Sequence, residues 1–118
     1  MEIAIGPFVG DRSELDMLFA LADDSPAAFG SYRELGTLLV AKEGDTIIGL
    51  ALLVSHHPKQ SELKALAVDP ARQGEGFGKR LVEAAANTAR SEGARILEVS
   101  TAAADIGNLR FYQRCGKL

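Results

Sequence analysis

The chain has 118 residues, 47% hydrophobic and 25% charged, with a formal net charge of −3; this fits one globular domain, 1–118, and leaves no room for two. A single cysteine excludes a disulfide scaffold, and the longest apolar stretch, Ile47 to Val54, falls far short of the ~20 residues that a membrane span needs. A negative balance without any run of basic residues argues against a nucleic-acid partner. The opening Met1-Glu2-Ile3-Ala4-Ile5-Gly6 lacks the basic start and apolar core of a signal peptide, and a lone thiol suits a reducing compartment, so the expected location is cytoplasmic.

In chain order, Glu2 to Ile5 reads as a short strand ended by Gly6-Pro7. Asp11 and Glu14 have capping-box spacing ahead of Leu15, Leu18, Phe19 and Ala22, which recur at helical intervals. Ser25-Pro26 opens a second helix, interrupted at Gly30 and ended near Gly36. Thr37 to Lys42 and Thr46 to Ser55 are β-rich runs joined at Gly44-Asp45, a hairpin signal. His56 to Gln60 reads as a loop. The next strand, Ser61 to Val68, stops at Asp69-Pro70 because proline removes a ladder donor. Phe77, Leu81, Ala85 and Ala89 then form one apolar helix stripe, with Gly93 as its left-handed stop. A strand over Arg95 to Thr101 and a final helix from about Asp105 to Cys115 complete an α/β (α+β) unit without internal repeats. Its strand–helix–strand from Ser61 to Thr101 should be a right-handed parallel crossover.

Splitting the charge is more informative than summing it. Residues 1–62 carry a balance of −6 and residues 63–118 one of +3. The later excess of base, in Arg72, Lys79, Arg80, Arg90, Arg95, Arg110 and Arg114, favours an anionic small ligand in the second half, although solvated helix faces account for some of it. The glycine-rich turn points the same way. After Leu66-Ala67-Val68 the chain reads Asp69-Pro70-Ala71-Arg72-Gln73-Gly74-Glu75-Gly76-Phe77-Gly78-Lys79 and enters a helix. Glycines let a ligand approach the backbone, and the first N–H groups of a helix are unpaired donors, a geometry that binds phosphate. Neither the P-loop nor the dinucleotide spacing fits: Gln73 stands five places before Gly78, Arg80 follows Lys79, and Lys79 or Leu81 occupies the third dinucleotide glycine.

Gln73-x-x-Gly76-x-Gly78 instead resembles the Q/R-x-x-G-x-G/A motif of the GCN5-related N-acetyltransferase (GNAT) superfamily. Asn108-Leu109-Arg110-Phe111-Tyr112-Gln113-Arg114-Cys115-Gly116 is similar to that superfamily's later helix. The resemblance implies a mixed sheet flanked by helices, with acetyl-coenzyme A as cosubstrate between the two splayed strands of the parallel crossover. It also implies that the backbone of Leu66, Ala67 and Val68 pairs with the pantetheine arm. Gln73 begins the loop, and the N–H groups of Gly74, Gly76, Phe77, Gly78 and Lys79 hold the pyrophosphate. Asn108, four residues before Tyr112, hydrogen-bonds the pantetheine; the family often has an asparagine seven before this tyrosine, where this chain has Asp105.

Acetyl transfer to a primary amine poses two proton problems. Deprotonating a lysine-like amine at neutral pH costs roughly 4–5 kcal/mol, so a base or a relay of waters is useful. The resemblance supplies Glu62, since some histone-acetylating members carry a glutamate in the matching strand. Strict alternation puts Glu62, Lys64, Leu66 and Val68 on one face. Lys64 either holds Glu62 ionised or is a neighbouring surface charge. A tyrosine is near enough in acidity to a thiol to protonate the departing thiolate, and Tyr112 matches the family's tyrosine acid. His56-His57 reads as surface rather than as a metal site, for no partner stands at ligand spacing, and Cys115 as a small buried hydrophobe.

The leading expectation is therefore direct acetyl transfer from acetyl-coenzyme A to an amine, with backbone donors polarising the thioester carbonyl. A non-catalytic acyl-coenzyme A module and a site for another phosphate ligand stay open. Asp23, Asp24 and Glu34 lean towards a cationic acceptor. Family chains usually continue with two more strands and have Phe after the glycine. Here Gly116 is followed by Lys117-Leu118, and the Arg95 to Thr101 strand is expected to be an open edge that pairs with a second copy or a partner.

Overall fold

The computed structural model describes residues 2–22, 26–57 and 59–99. Five strands form one sheet in chain order: β1 (Ile3–Pro7), β2 (Thr37–Glu43), β3 (Thr46–His57), β4 (Gln60–Val68) and β5 (Ile96–Val99). Successive strands pair antiparallel as far as β4, and β4 and β5 run parallel. Helices α1 (Asp16–Ala22) and α2 (Pro26–Tyr32) lie between β1 and β2, and α3 (Phe77–Ser91) makes the crossover that a parallel pair requires. This is the mixed α/β architecture read from the sequence.

Alternation along the strands divides the apolar side chains between two cores. Leu39, Ala51, Leu53, Leu63, Leu66 and Val68 pack with Phe77, Leu81, Ala85 and Ala89 of α3, the stripe read from its fourfold spacing. Leu38, Val40, Leu50, Leu52, Ala65 and Ala67 pack with Leu15, Phe19, Phe29 and Tyr32 from the α1/α2 side. Gly49 permits the close approach of α3: a Cβ there would stand 2.9 Å from Leu81 Cδ1 and 3.0 Å from the Ala67 carbonyl oxygen.

Several local expectations are corrected. Strand β1 runs on through Gly6 and Pro7, since proline is tolerated where a strand ends. Asp11 accepts from the Ser13 amide at 2.9 Å and hydroxyl at 2.7 Å, and so caps a 3-10 turn, Arg12–Leu15, ahead of α1. Gly30 stays inside α2. Beyond the end of α2 the Arg12 guanidinium donates to the carbonyls of Arg33 (3.0 Å), Leu35 (2.6 Å) and Gly36 (3.0 Å), satisfying acceptors of the turn that leads into β2. His56 to Gln60 is not a loop throughout: β3 extends to His57 and β4 starts at Gln60. Polar residues there satisfy the strand backbone as well as apolar ones do, which hydropathy alone does not reveal. The described part of the last strand is Ile96–Val99, and the helix expected from about Asp105 lies outside the described residues.

Candidate functional site

The turn between β4 and α3 is built by its backbone. Asp69 Oδ1 accepts from the Ala71 amide at 2.9 Å and caps a second 3-10 turn, Pro70–Arg72. Gln73 Nε2 donates to the Val68 carbonyl at 3.1 Å, tying the loop to the end of β4. Gly74 and Gly76 follow with φ of +83° and +87°, the left-handed region that only glycine enters freely. A Cβ at either position would meet nothing within 4 Å, so conformation rather than crowding requires glycine here. Gly76 is the N-cap of α3 and makes no side-chain cap, while Phe77 and Gly78 are buried in the first turn and Lys79 is exposed. The turn brings a helix N-terminus to the end of β4, where the helix dipole favours an anion.

Strand β4 itself has two unlike halves. Among the described residues, its pairing with β5 covers Gln60 to Leu63. The Asp69 amide donates to the Ile48 carbonyl on β3 at 2.7 Å; by alternation, Ala65 and Ala67 also turn their backbone groups towards β3, while those of Leu66 and Val68 face the other edge. Among the described residues, that edge of Leu66 to Val68 has no strand partner. It leads directly into the glycine turn.

A β-bulge separates the halves. Leu53 pairs with Leu63 but Leu52 with Ala65, so Lys64 is an extra residue in the ladder. The single-face alternation expected for Glu62, Lys64, Leu66 and Val68 is therefore broken. Leu66 and Val68 pack towards α3. Lys64 Nζ instead lies 5.2 Å from the ring centroid of Tyr32 on α2 and 3.9 Å from Glu62 Oε2. Glu62, opposite Val54 of the α1/α2 core, is the one charged side chain among the buried described residues. Its Oε1 is 2.5 Å from His56 Nε2. The structure thus brings Glu62 and Lys64 together and adds His56, which reading the segment as a loop had left outside the site. The signal was its position at the end of a β-rich run.

Not every cation of the second half is available to an anion. Arg72 makes a two-point contact with Glu43, at 2.6 and 3.2 Å, and donates from Nε to Glu75 at 3.2 Å, while stacking 5.2 Å from the Phe77 ring centroid. Glu43 first, then Glu75, raises its pKa, and Arg72 in turn holds the Glu43 carboxyl below its ordinary value. Arg72 is a strut between β2 and the glycine turn. Arg90 is similarly engaged with Asn87 Oδ1 at 2.9 Å. Asn108, Tyr112 and Cys115 lie outside the described residues. No cluster of three or more potential metal ligands occurs among the described residues, and no helix there is long and apolar enough to cross a membrane.

The chain belongs to the acetyltransferase (GNAT) family, whose pattern matches residues 7–117. It is 35% identical over 116 residues to YvbK of Bacillus subtilis (strain 168), an uncharacterised N-acetyltransferase, covering 98% of this chain and 74% of that protein. A Bacillus subtilis acetyltransferase solved in complex with CoA superposes with a TM-score of 0.79 at 34% identity, over 98% of this chain and 76% of that one. A GNAT family acetyltransferase from Elizabethkingia anophelis, solved with acetyl-CoA bound, gives 0.76 at 28% identity; the match covers 82% of this chain and 63% of that chain's length.

Proposed function

We propose that this chain, acting as one domain over 1–118, is an acetyl-coenzyme A-dependent N-acetyltransferase that transfers acetyl directly to a primary amine within a ternary complex. One observation carries the reading. The edge of Leu66 to Val68, which has no strand partner among the described residues, runs into the left-handed Gly74 and Gly76, while Glu62 stands buried across the bulge on the α1/α2 side. Acetyl-coenzyme A supplies the activated acetyl group as a thioester. The Leu66 and Val68 backbone orients the pantetheine arm, and the turn from Gly74 to Lys79, including Phe77 and Gly78, meets the pyrophosphate. Gln73 acts by fixing the loop to Val68. Glu62 takes the proton released when the amine becomes nucleophilic, and Lys64 favours its ionised form. Tyr112 protonates the departing thiolate, and Asn108 hydrogen-bonds the pantetheine.

The test is thiol release from acetyl-coenzyme A across a panel of amines, with the Glu62→Gln and Tyr112→Phe variants alongside. Turnover on at least one amine, lost in Glu62→Gln, is expected. Coenzyme A binding without thiol release on any amine would leave a non-catalytic acyl-coenzyme A module, and unchanged turnover in Tyr112→Phe would remove the acid. The acceptor is a small molecule or peptide amine. The proposal places the protein in the cytoplasm, in keeping with its single cysteine. Its sheet is completed by a second copy or a partner at the β5 edge; a monomer at micromolar concentration in analytical ultracentrifugation counts against that assembly.

A further inference from the structure

The register between β3 and β4 skips two residues. Ser55 pairs with Ser61 and His57 with Gln60, leaving out His56; Leu53 pairs with Leu63 and Leu52 with Ala65, leaving out Lys64. Both extra residues, one on each strand, have side chains that reach the Glu62 carboxylate, at 2.5 Å and 3.9 Å. Bulges re-aim side chains in this manner. From this we infer that His56 is a positioning residue for acetyl transfer: its contact with Oε1 fixes the orientation of the Glu62 carboxylate. The inference rests on Glu62 being the base.

The chemistry follows from what each group can donate. An ionised carboxylate only accepts, so the hydrogen in the contact comes from His56 Nε2, which for an imidazole carrying one ring hydrogen means the Nε2–H tautomer. Glu62 is a glutamate with rotatable bonds on a strand, and burial at 11% side-chain exposure penalises its charged form. A charge-assisted hydrogen bond at Oε1 offsets that penalty and fixes the carboxylate plane. Oε2 lies 3.9 Å from Lys64 Nζ, at the longer distance of the two contacts. The charged or titratable groups around the carboxylate include His56 from β3 and Lys64 from β4, and Tyr32 from α2 stacks on Lys64. His56 is 45% exposed, so replacing it leaves no buried void.

Two measurements on the full chain test this. In the free protein, imidazole nitrogen shifts, assigned with His57→Gln, should show the Nε2–H tautomer for His56 and a mixture of tautomers in Glu62→Gln. With acetyl-coenzyme A and the panel amine of highest turnover, His56→Ala should lower kcat about 10- to 100-fold with KM for acetyl-coenzyme A unchanged. His56→Gln, which retains an N–H donor, should recover most of that loss, and Glu62→Gln/His56→Ala should be no slower than Glu62→Gln alone. If Glu62→Gln is inactive while His56→Ala turns over normally, the base stands and the positioning role falls. If Glu62→Gln retains full turnover, the reading of Glu62 fails first. A mixed tautomer in the unaltered protein overturns the contact whichever amine is used, or if none is turned over.

Discussion

Gln60 to Leu63 and Lys64 to Val68 are halves of one strand with opposite fates. The first half is held on both edges, by β3 and β5; the second, among the described residues, is held by β3 alone. The held half carries the buried Glu62, and the open half presents backbone groups next to the glycine turn. Because Lys64 is an extra residue between them, Glu62 lies on the α1/α2 face while Leu66 and Val68 pack on α3. On the proposed function, a single strand serves two purposes: side-chain chemistry before the bulge and main-chain recognition after it. A regular strand would set Glu62 and Leu66 on the same face, and the base would compete for space with α3.

The strongest way to break that division is at Glu62. Glu62→Gln should lower turnover by about 10²- to 10⁴-fold, the usual contribution of a positioned base, while coenzyme A affinity measured by calorimetry stays within a few-fold. An equal loss in both would mean that the two halves are not functionally separate. Gly49→Ala, beneath α3, should lower stability by about 1–3 kcal/mol in urea unfolding, because the added methyl meets Leu81 and the Ala67 carbonyl rather than open space. Gly76→Ala offers a contrast, for its Cβ has room and only the φ of +87° is penalised, by about 1–2 kcal/mol. It should weaken coenzyme A binding by about tenfold and leave the Glu62 side of the strand intact.

The smallest effect is expected at the strut between β2 and the turn. Arg72 holds the Glu43 carboxyl below its ordinary value of 4.5. The folded form of that group thus binds its proton less readily than the unfolded form. The stability it contributes is present above about pH 4.5 and is lost as pH falls through the lowered value. Arg72→Met should remove that component, so that the difference in melting temperature between the two proteins narrows from neutral pH to about pH 3. High salt should shrink the neutral-pH difference as well, since both side chains are partly exposed.

Much of the open half was legible before any fold was known. Alternating glycines after a strand that stops at Asp69-Pro70 mark a left-handed turn, because few other residues tolerate it; Gly74 and Gly76 have that conformation. The α3 stripe was equally plain, since a fourfold apolar spacing has one helical reading. The held half was less so. Glu62 was named from resemblance, but its surroundings depended on two skipped residues, and nothing in the local sequence around Lys64 or His56 marks a bulge. Arg72 shows the same gap, for its charge suggested a ligand contact and its partner, Glu43, is 29 positions away.

The amino-acid sequence alone determined the element types, the site of the phosphate-sized turn and the family, since periodicity, glycine and proline act over a few neighbouring residues. Only the tertiary structure decided which charged groups are occupied with one another and which face of β4 the carboxylate serves. Those depend on register between strands, and register is set by the packing of two cores on one sheet rather than by any short stretch of chain.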